Sequence, residues 1–188
     1  MKYFCRFIMK LLGWKAVGGK VPEDKAIILG VPHTSAWDFI ISYFFYTSLG
    51  GKAYIMVKKE FFWGPLSPIL KALGGLPVDR KHGARVTMQV IEAMESRKEL
   101  HLAIAPEATR HLTDRWKTGF HTIARACNLD HVYLGYFDWG TKRISVGEKF
   151  MLSDNASEDL KKIMARYAEM NLHGKNKGCF STGNGNVV

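Results

Sequence analysis

The sequence has few cysteines and no long uncharged hydrophobic run. Its three cysteines, Cys5, Cys127 and Cys179, lie far apart and form no CxxC pair, so the pattern favours neither a disulfide framework nor a zinc ribbon. The longest uncharged stretch, residues 39–51, is 13 residues long, whereas a helix that crosses a bilayer needs about 20 apolar residues. We therefore expect a reducing, cytoplasmic setting and no transmembrane segment.

Acidic residues are also scarce, and none occurs before Glu23. The 188-residue chain carries 27 Lys and Arg against 17 Asp and Glu, which gives a formal net charge of +10. Such an excess favours an anionic membrane surface, phosphorylated ligands or nucleic acid. No RNP, zinc-finger or helix-turn-helix signature accompanies the charge, so we expect no nucleic-acid partner. With 47% hydrophobic residues, the chain has enough apolar surface for one domain with a substantial core.

Residues 1–20 are expected to form an amphipathic helix at a membrane surface. Lys2, Arg6 and Lys10 share one flank, and Arg6 and Lys10 interrupt the apolar run that a signal peptide needs. A helix that simply packs on the core has the same hydrophobic period, so both interpretations stay open. The predicted membrane-binding residues are Phe4, Phe7, Ile8, Leu11, Leu12 and Trp14.

Beyond Val21, short apolar runs alternate with helical segments, which predicts an α/β fold with a mixed sheet flanked by helices. The predicted strands are AIILGV, AYIMV, LPV, LHLAIA, HVYLGYF and RISVG. The predicted helices are FIISYFFYTSLGG, LSPILKAL, VTMQVIEAMES, FHTIARAC and DLKKIMARYAEMNL, the last capped from Ser157. We assign residues 21–172 to the core domain and the polar residues 173–188 to a mobile tail.

Polar residues that follow a predicted strand carry the first candidate site. His33 comes just after AIILGV, and Asp38 lies five residues later, near the start of a helix. A carboxylate that holds one imidazole nitrogen protonated leaves the other nitrogen free to take a proton from an alcohol, which is general-base chemistry. The same two residues also suit an ordinary loop hydrogen bond and helix cap.

Two further strand ends place a cation beside a carboxylate. GGLPVDR brings Asp79 and Arg80 to the end of one strand, and APEATR brings Glu107 and Arg110 to the end of another. The planar guanidinium group suits phosphate or carboxylate recognition, and a nearby carboxylate can orient it or accept a hydroxyl. The alternative for each is a surface ion pair that contributes little to stability.

Taken in order, HTSAWD, FFWGPLSPILKALGGLPVDRK and PEATR resemble the conserved blocks of the glycerophospholipid acyltransferase superfamily, which includes the 1-acylglycerol-3-phosphate acyltransferases. The resemblance covers roughly residues 27–150. It implies an acyltransferase-like fold and an O-acyltransferase in which His33 is the general base and Asp38 its orienting partner. It also implies an acceptor or phosphate site formed by Arg80, Glu107, Thr109 and Arg110.

The chain departs from the family pattern in two of these blocks. The third block usually reads Glu-Gly-Thr-Arg, but here Ala108 replaces the glycine at a position suited to positive φ or close approach. The fourth block usually has a proline within its strand, whereas HVYLGYF has Gly135 instead. These differences affect the expected fit of the phosphate and the shape of the acyl pocket.

The expected reaction is transfer of a fatty acyl group from acyl-CoA or acyl-carrier protein to the hydroxyl of a lysoglycerophospholipid. Lysophosphatidic acid is the leading acceptor, and a lyso-ornithine lipid is the alternative within the class. A non-catalytic lipid-binding module is the alternative outside it. We expect a peripheral protein at the cytoplasmic face of an anionic membrane, with direct acyl transfer, since no GxSxG elbow occurs and no cysteine falls in the matched blocks.

No metal or other cofactor is expected. Histidines recur every ten residues, but this spacing is not that of a metal motif such as HExxH, and we expect them on the surface or at strand ends. These residues are His101, His111, His121 and His131. The aromatic residues Phe61, Phe62 and Trp63 form either a membrane-facing wall or part of the core.

Overall fold

The structure of the protein is a computed structural model that describes residues 1–79 and 83–176. Its helices are α1 (Lys2–Leu11), α2 (Trp37–Ser48), α3 (Leu66–Ala72), α4 (Gly83–Glu95), α5 (Gly119–Ala126) and α6 (Ala156–Glu169), with a 3-10 helix at Lys59–Phe61. Its strands are β1 (Lys15–Val17), β2 (Lys25–Val31), β3 (Ala53–Lys58), β4 (Gly75–Val78), β5 (Leu100–Ile104), β6 (His131–Asp138), β7 (Arg143–Ser145) and β8 (Lys149–Met151).

The strands form one mixed sheet in the order β1-β7-β6-β2-β5-β3-β4, with β8 paired to β6. Strands β6, β2, β5, β3 and β4 run parallel to one another, whereas β7 and β8 are antiparallel to β6. The five parallel strands therefore end at one edge of the sheet, which we call the carboxyl edge. All three candidate blocks follow strands that end there.

Strand β2 is buried on both faces of the sheet, which explains its continuous apolar run. Ile27, Leu29 and Val31 belong to the core cluster that includes residues of α4, α5 and α6. The alternate residues Ala26 and Ile28 belong to a second cluster with residues of α1 and α2. This period-two alternation places helices on both faces.

Every predicted strand and helix is confirmed, although some boundaries differ from the prediction. The structure also contains two short strands, β1 and β8, that were not predicted. Strands β1 and β8 have three residues each and a lysine at the first position, a pattern too short to predict a strand. The N-cap of α6 was also misplaced. Asn155, not Ser157, caps this helix, because its side-chain oxygen accepts the N–H groups of Ser157 and Glu158 at 3.2 and 3.1 Å.

The predicted segment boundaries also need correction. Strand β1 pairs with β7, and α1 packs on α2, so residues 1–20 are part of the folded domain. Residues 173–176, predicted to begin a mobile tail, are hydrogen bonded to the domain. Residues 177–188 lie outside the described part of the chain. In residues 1–79 and 83–176, no helix is long and apolar enough to span a bilayer.

Candidate active site

The HTSAWD turn connects β2 to α2 and brings His33 onto Asp38. The distance from His33 Nδ1 to Asp38 Oδ2 is 3.3 Å. The same carboxylate oxygen accepts the backbone N–H groups of Thr34 and Ser35 at 2.8 and 2.7 Å, and the Asp38 residue is only 1% exposed. Asp38 therefore stabilises the turn, and the same carboxylate oxygen lies beside the His33 imidazole.

The position of Asp38 favours one tautomer of His33. A carboxylate beside Nδ1 stabilises a proton on that nitrogen and leaves the lone pair of Nε2 available. The His33 side chain is 30% exposed, so a ligand at the carboxyl edge can reach it. This geometry suits proton transfer from a bound alcohol.

Glu107, just beyond β5, contacts the backbone of the same turn. Its two carboxyl oxygens accept the His33 N–H at 3.1 and 3.0 Å, because β5 is the parallel neighbour of β2. The pKa of this carboxyl is raised to about 8, chiefly by burial; the His33 N–H opposes the rise and the Asp38 charge adds to it. At neutral pH the carboxyl thus keeps its proton and can donate to a hydroxyl or carbonyl oxygen.

We expect the free energy of unfolding to decrease as the pH rises from about 4.5 to about 8, because of Glu107. Over this range the folded chain holds a proton on Glu107 that the unfolded chain releases. This contribution to stability is complete below the unfolded pKa and is lost as the pH rises through the folded pKa. Urea unfolding at about pH 5 and about pH 8 measures this decrease, and Glu107→Gln should make the decrease in the free energy of unfolding smaller. If the wild type and Glu107→Gln lose the same stability between these pH values, the pH dependence comes from groups other than Glu107.

The rest of the third block forms an exposed turn. Ala108 has φ of +55°, so the position does adopt the left-handed conformation that glycine favours. The Thr109 hydroxyl accepts the N–H of His111 at 3.2 Å, within the turn itself. Arg110 is exposed, three residues from Glu107, and makes no hydrogen bond or ion pair with the described residues. Its guanidinium is therefore available to a ligand.

The second block reaches the carboxyl edge at the end of β4. Arg80, predicted to bind phosphate, lies outside the described residues. Its neighbour Asp79 is buried and accepts a hydrogen bond from Lys59 Nζ at 2.7 Å. Strand β4 is two positions from β5 in the sheet, which corresponds to about 10 Å at the usual strand spacing. The described end of the second block therefore lies at the same edge of the sheet as the first and third blocks.

Helix α1 has two distinct apolar faces. Cys5 and Met9 are buried where the helix packs on α2. On another side, Phe7 and Leu11 are 61% and 69% exposed, and Phe4 is exposed beside them. The helix thus packs on the core and still presents an apolar stripe to solvent. Tyr3 and Leu12 are exposed as well, and Ile8 is half-buried.

Trp14 does not belong to this exposed stripe, contrary to the prediction. It is only 6% exposed, because it follows the end of α1 and its ring packs edge-on against Trp139, with ring centroids 5.0 Å apart. Phe61 and Trp63, by contrast, are more than half exposed, so they are not core residues. Phe62 is half-buried.

The placement of the histidines was wrong in two cases. His101 is fully buried, with Nδ1 2.5 Å from the Tyr46 hydroxyl and Nε2 2.7 Å from the Glu23 carbonyl oxygen. His121 is buried beside the Ser153 carbonyl, 2.9 Å away. His131 begins β6, and His111 is exposed, both as expected. Over the described residues, no group of three or more His, Cys, Asp or Glu side chains could hold a metal ion.

One residue outside the predicted set, Trp139, also touches the site. Trp139 follows β6 and donates its indole N–H to Asp38 Oδ1 at 2.8 Å. Its only signal in the sequence was its place two residues after a predicted strand. Neither its 101-residue separation from Asp38 nor the parallel pairing of β6 with β2 can be read from local spacing.

These features define a mixed α/β fold with a His–Asp pair at the carboxyl edge of its sheet. The chain belongs to the acyltransferase family, whose model matches residues 16–144. Among solved structures, it resembles the 1-acyl-sn-glycerophosphate (LPA) acyltransferase PlsC from Thermotoga maritima, with a TM-score of 0.55 and 14% identity over 93% of this chain and 80% of that one. No curated protein matches the chain. The predicted fold class, the family and the assignment as an acyltransferase are thereby confirmed.

Proposed function

We propose that this acyltransferase moves a fatty acyl group from acyl-CoA or acyl-carrier protein to the hydroxyl of a lysoglycerophospholipid, with lysophosphatidic acid as the leading acceptor. The observation that carries the proposal is the His33–Asp38 pair in contact with Glu107 at the carboxyl edge. An imidazole oriented by a buried carboxylate is suited to deprotonating an alcohol.

In the proposed reaction, His33 Nε2 takes the proton of the acceptor hydroxyl as its oxygen attacks the thioester carbonyl carbon. The new C–O bond gives a tetrahedral intermediate, and Asp38 stabilises the imidazolium that forms. The intermediate then collapses with cleavage of the C–S bond. The departing sulfur takes the proton from the imidazolium, so His33 returns to its starting state and the transfer balances without a covalent acyl-enzyme or an added cofactor.

An acidic headgroup on the acceptor is supported by the cations of the second and third blocks. Arg110 is exposed beside the Glu107 turn, and the chain as a whole carries a net charge of +10. By resemblance, Arg80 and Thr109 complete this binding site. Guanidinium groups bind phosphate through paired, charge-assisted hydrogen bonds, which suits lysophosphatidic acid better than a neutral lysolipid.

The proposed location is the cytoplasmic face of an anionic membrane, with the protein attached peripherally through α1. The exposed stripe of Phe4, Phe7 and Leu11 is large enough to enter the interfacial region. Lys2 and Lys10 lie on the same helix and carry the positive charge that an anionic surface attracts. Phe61 and Trp63 offer a second exposed aromatic contact.

The proposal is tested by measuring thiol release from acyl-CoAs and acyl-carrier protein with a panel of acceptors. Release that depends on lysophosphatidic acid would support the proposed acceptor. Release that depends instead on a lyso-ornithine lipid would keep the acyltransferase activity and replace lysophosphatidic acid as the acceptor. Absence of release with every donor and acceptor would contradict the proposed activity and favour a lipid-binding module.

Arg110→Ala is expected to raise the acceptor KM roughly 10-fold, with a smaller change in kcat, because a charge-assisted contact to the headgroup contributes about 1.5–3 kcal/mol. Steady-state kinetics with varied lysophosphatidic acid give both constants. Arg143→Ala, at an exposed position on β7, is the matched control. An acceptor KM equal to that of this control would remove Arg110 from the acceptor site.

A further inference from the structure

Two parts of the chain that lie outside the three blocks form hydrogen bonds to the HTSAWD segment. One is Trp139, at the end of β6, and the other is the segment 173–176, which follows α6. Trp139 contacts Asp38, the second residue of α2, and the segment contacts Thr34. We call Trp139 and residues 173–176 together the clamp.

Trp139 acts on the carboxylate that orients His33. Its indole N–H donates to Asp38 Oδ1 at 2.8 Å, whereas the other carboxylate oxygen faces His33 Nδ1 and two backbone N–H groups. Both oxygens of this buried carboxylate thus have partners, which fixes the orientation of its plane. Edge-on packing of Trp14 against Trp139 holds the indole in place.

Residues 173–176 act on Thr34, the residue after His33. The Thr34 hydroxyl accepts the Lys175 N–H at 2.9 Å, and the Thr34 carbonyl accepts the side-chain amide N–H of Asn176 at 2.7 Å. Thr34 is only 1% exposed. Contact at Gly174 is so close that an added Cβ would lie 2.6 Å from Thr34 Cγ2. The segment therefore covers the turn tightly.

The two parts of the clamp are also joined to each other. The Trp139 backbone N–H donates to the His173 carbonyl at 2.9 Å, and the His173 N–H donates to Asp138 Oδ1 at 3.1 Å. The Lys175 ammonium lies 5.0 Å from the Trp139 ring centroid and 4.6 Å from that of Trp37, within cation–π range. Segment 173–176 is thus fastened to the end of β6 and to the turn.

We propose that the clamp positions the His33–Asp38 pair for proton transfer, so that Trp139 and residues 173–176 are positioning elements of the active site. Trp139 acts through Asp38, and the segment acts through Thr34. Neither needs to touch the substrate. This inference rests on the proposed function, because its kinetic test measures acyl transfer. The physical argument is that a small displacement of a general base from the proton it removes lowers the reaction rate strongly.

Trp139→Phe removes the indole N–H and keeps an aromatic ring. We expect kcat to fall roughly 10- to 100-fold, with KM for donor and acceptor within about threefold of wild type, since substrate contacts remain. Trp14→Phe is the control for packing. Trp14 packs against Trp139 but makes no hydrogen bond to Asp38, so this variant changes the aromatic contact and keeps the indole N–H of Trp139. Equal losses of kcat in the two variants would mean that Trp139 acts only through packing, and would overturn the proposal for this residue.

A matched pair at Thr34 tests the segment. Thr34→Ser keeps the hydroxyl that accepts the Lys175 N–H, whereas Thr34→Val keeps the shape and removes the hydroxyl. We expect Thr34→Ser to retain most of kcat and Thr34→Val to lose about 10-fold, again with little change in KM. Equal kcat values for the two folded variants would show that the hydroxyl has no positioning role.

A spectroscopic readout separates this inference from the proposed reaction. Side-chain ¹⁵N spectra of His33, assigned with His33→Gln, distinguish the Nδ1–H tautomer from the Nε2–H tautomer. We expect Nδ1–H in the wild type and a mixture in Trp139→Phe. An unchanged tautomer in the variant would overturn the positioning role even if the enzyme is active. If the wild type shows Nδ1–H and Trp139→Phe shows the mixture, but the wild type transfers no acyl group, the clamp is supported and the proposed reaction is contradicted.

Discussion

His33→Ala is expected to lower kcat by about 10²- to 10⁴-fold, the usual contribution of a positioned general base. No other described imidazole lies beside Asp38, so nothing in the described part of the chain replaces the lost base. The effect on KM should be small, because the imidazole contacts the reacting hydroxyl and not the headgroup. The measurement is thiol release from acyl-CoA with lysophosphatidic acid as acceptor, under saturating donor and acceptor.

His131→Gln is the matched control for this variant. His131 begins β6, at the opposite edge of the sheet from His33, and its Nδ1 contacts Asp130 at 2.5 Å. Circular dichroism and thermal unfolding of both variants check that the fold is kept. Turnover by His33→Ala close to that of the control would exclude His33 as the base. Asp38 is less suitable for this test, since its carboxylate also holds the turn through Thr34 and Ser35.

Replacing Phe4, Phe7 and Leu11 together by serine is expected to lower partitioning to anionic vesicles by roughly 100-fold. Full burial of one such side chain contributes about 1.5–3 kcal/mol, and partial insertion of three of them amounts to about 3 kcal/mol. The free energy of unfolding should change little, because all three side chains are exposed in the folded protein. Vesicle co-sedimentation over a range of lipid concentrations measures the partition coefficient.

Met88→Ser combined with Met151→Ser controls for a general loss of exposed apolar surface. These side chains are as exposed as Phe7, at 62% and 61%, but they lie on α4 and β8. Partitioning of the α1 variant equal to that of this control would exclude α1 as the membrane contact and direct attention to Phe61 and Trp63. Truncation of residues 1–15 is a poorer test, because it would also remove Cys5, Met9 and Trp14 from the core.

Local patterns in the sequence were sufficient for much of the site. The apolar run before His33 predicted β2, and the glycines after α2 predicted its end. The polar residues after β2 and β5 were candidate site residues in the sequence, and Glu107 contacts His33 because these neighbouring parallel strands end at the same edge. The positive φ of Ala108 was expected from the residue type that usually occupies its position.

Other features depended on contacts between distant parts of the chain. Trp14 continues the apolar period of α1, but the chain leaves the helix at Gly13, whose φ is +75°, and the ring turns into the core against Trp139. The polar residues after α6 resemble a mobile tail in composition, yet residues 173–176 find hydrogen-bond partners at Asp138 and Thr34.

The sequence by itself determined the longer elements, the family and the candidate His33–Asp38 pair, because these depend on periodicity and on residues close together in short motifs. Only the tertiary structure decided what surrounds the pair: which oxygen of Asp38 faces Trp139, what covers Thr34, and which face of α1 stays in solvent. The physical reason is that hydrogen-bond partners and burial are set by sheet order and helix packing, which join residues more than 100 positions apart.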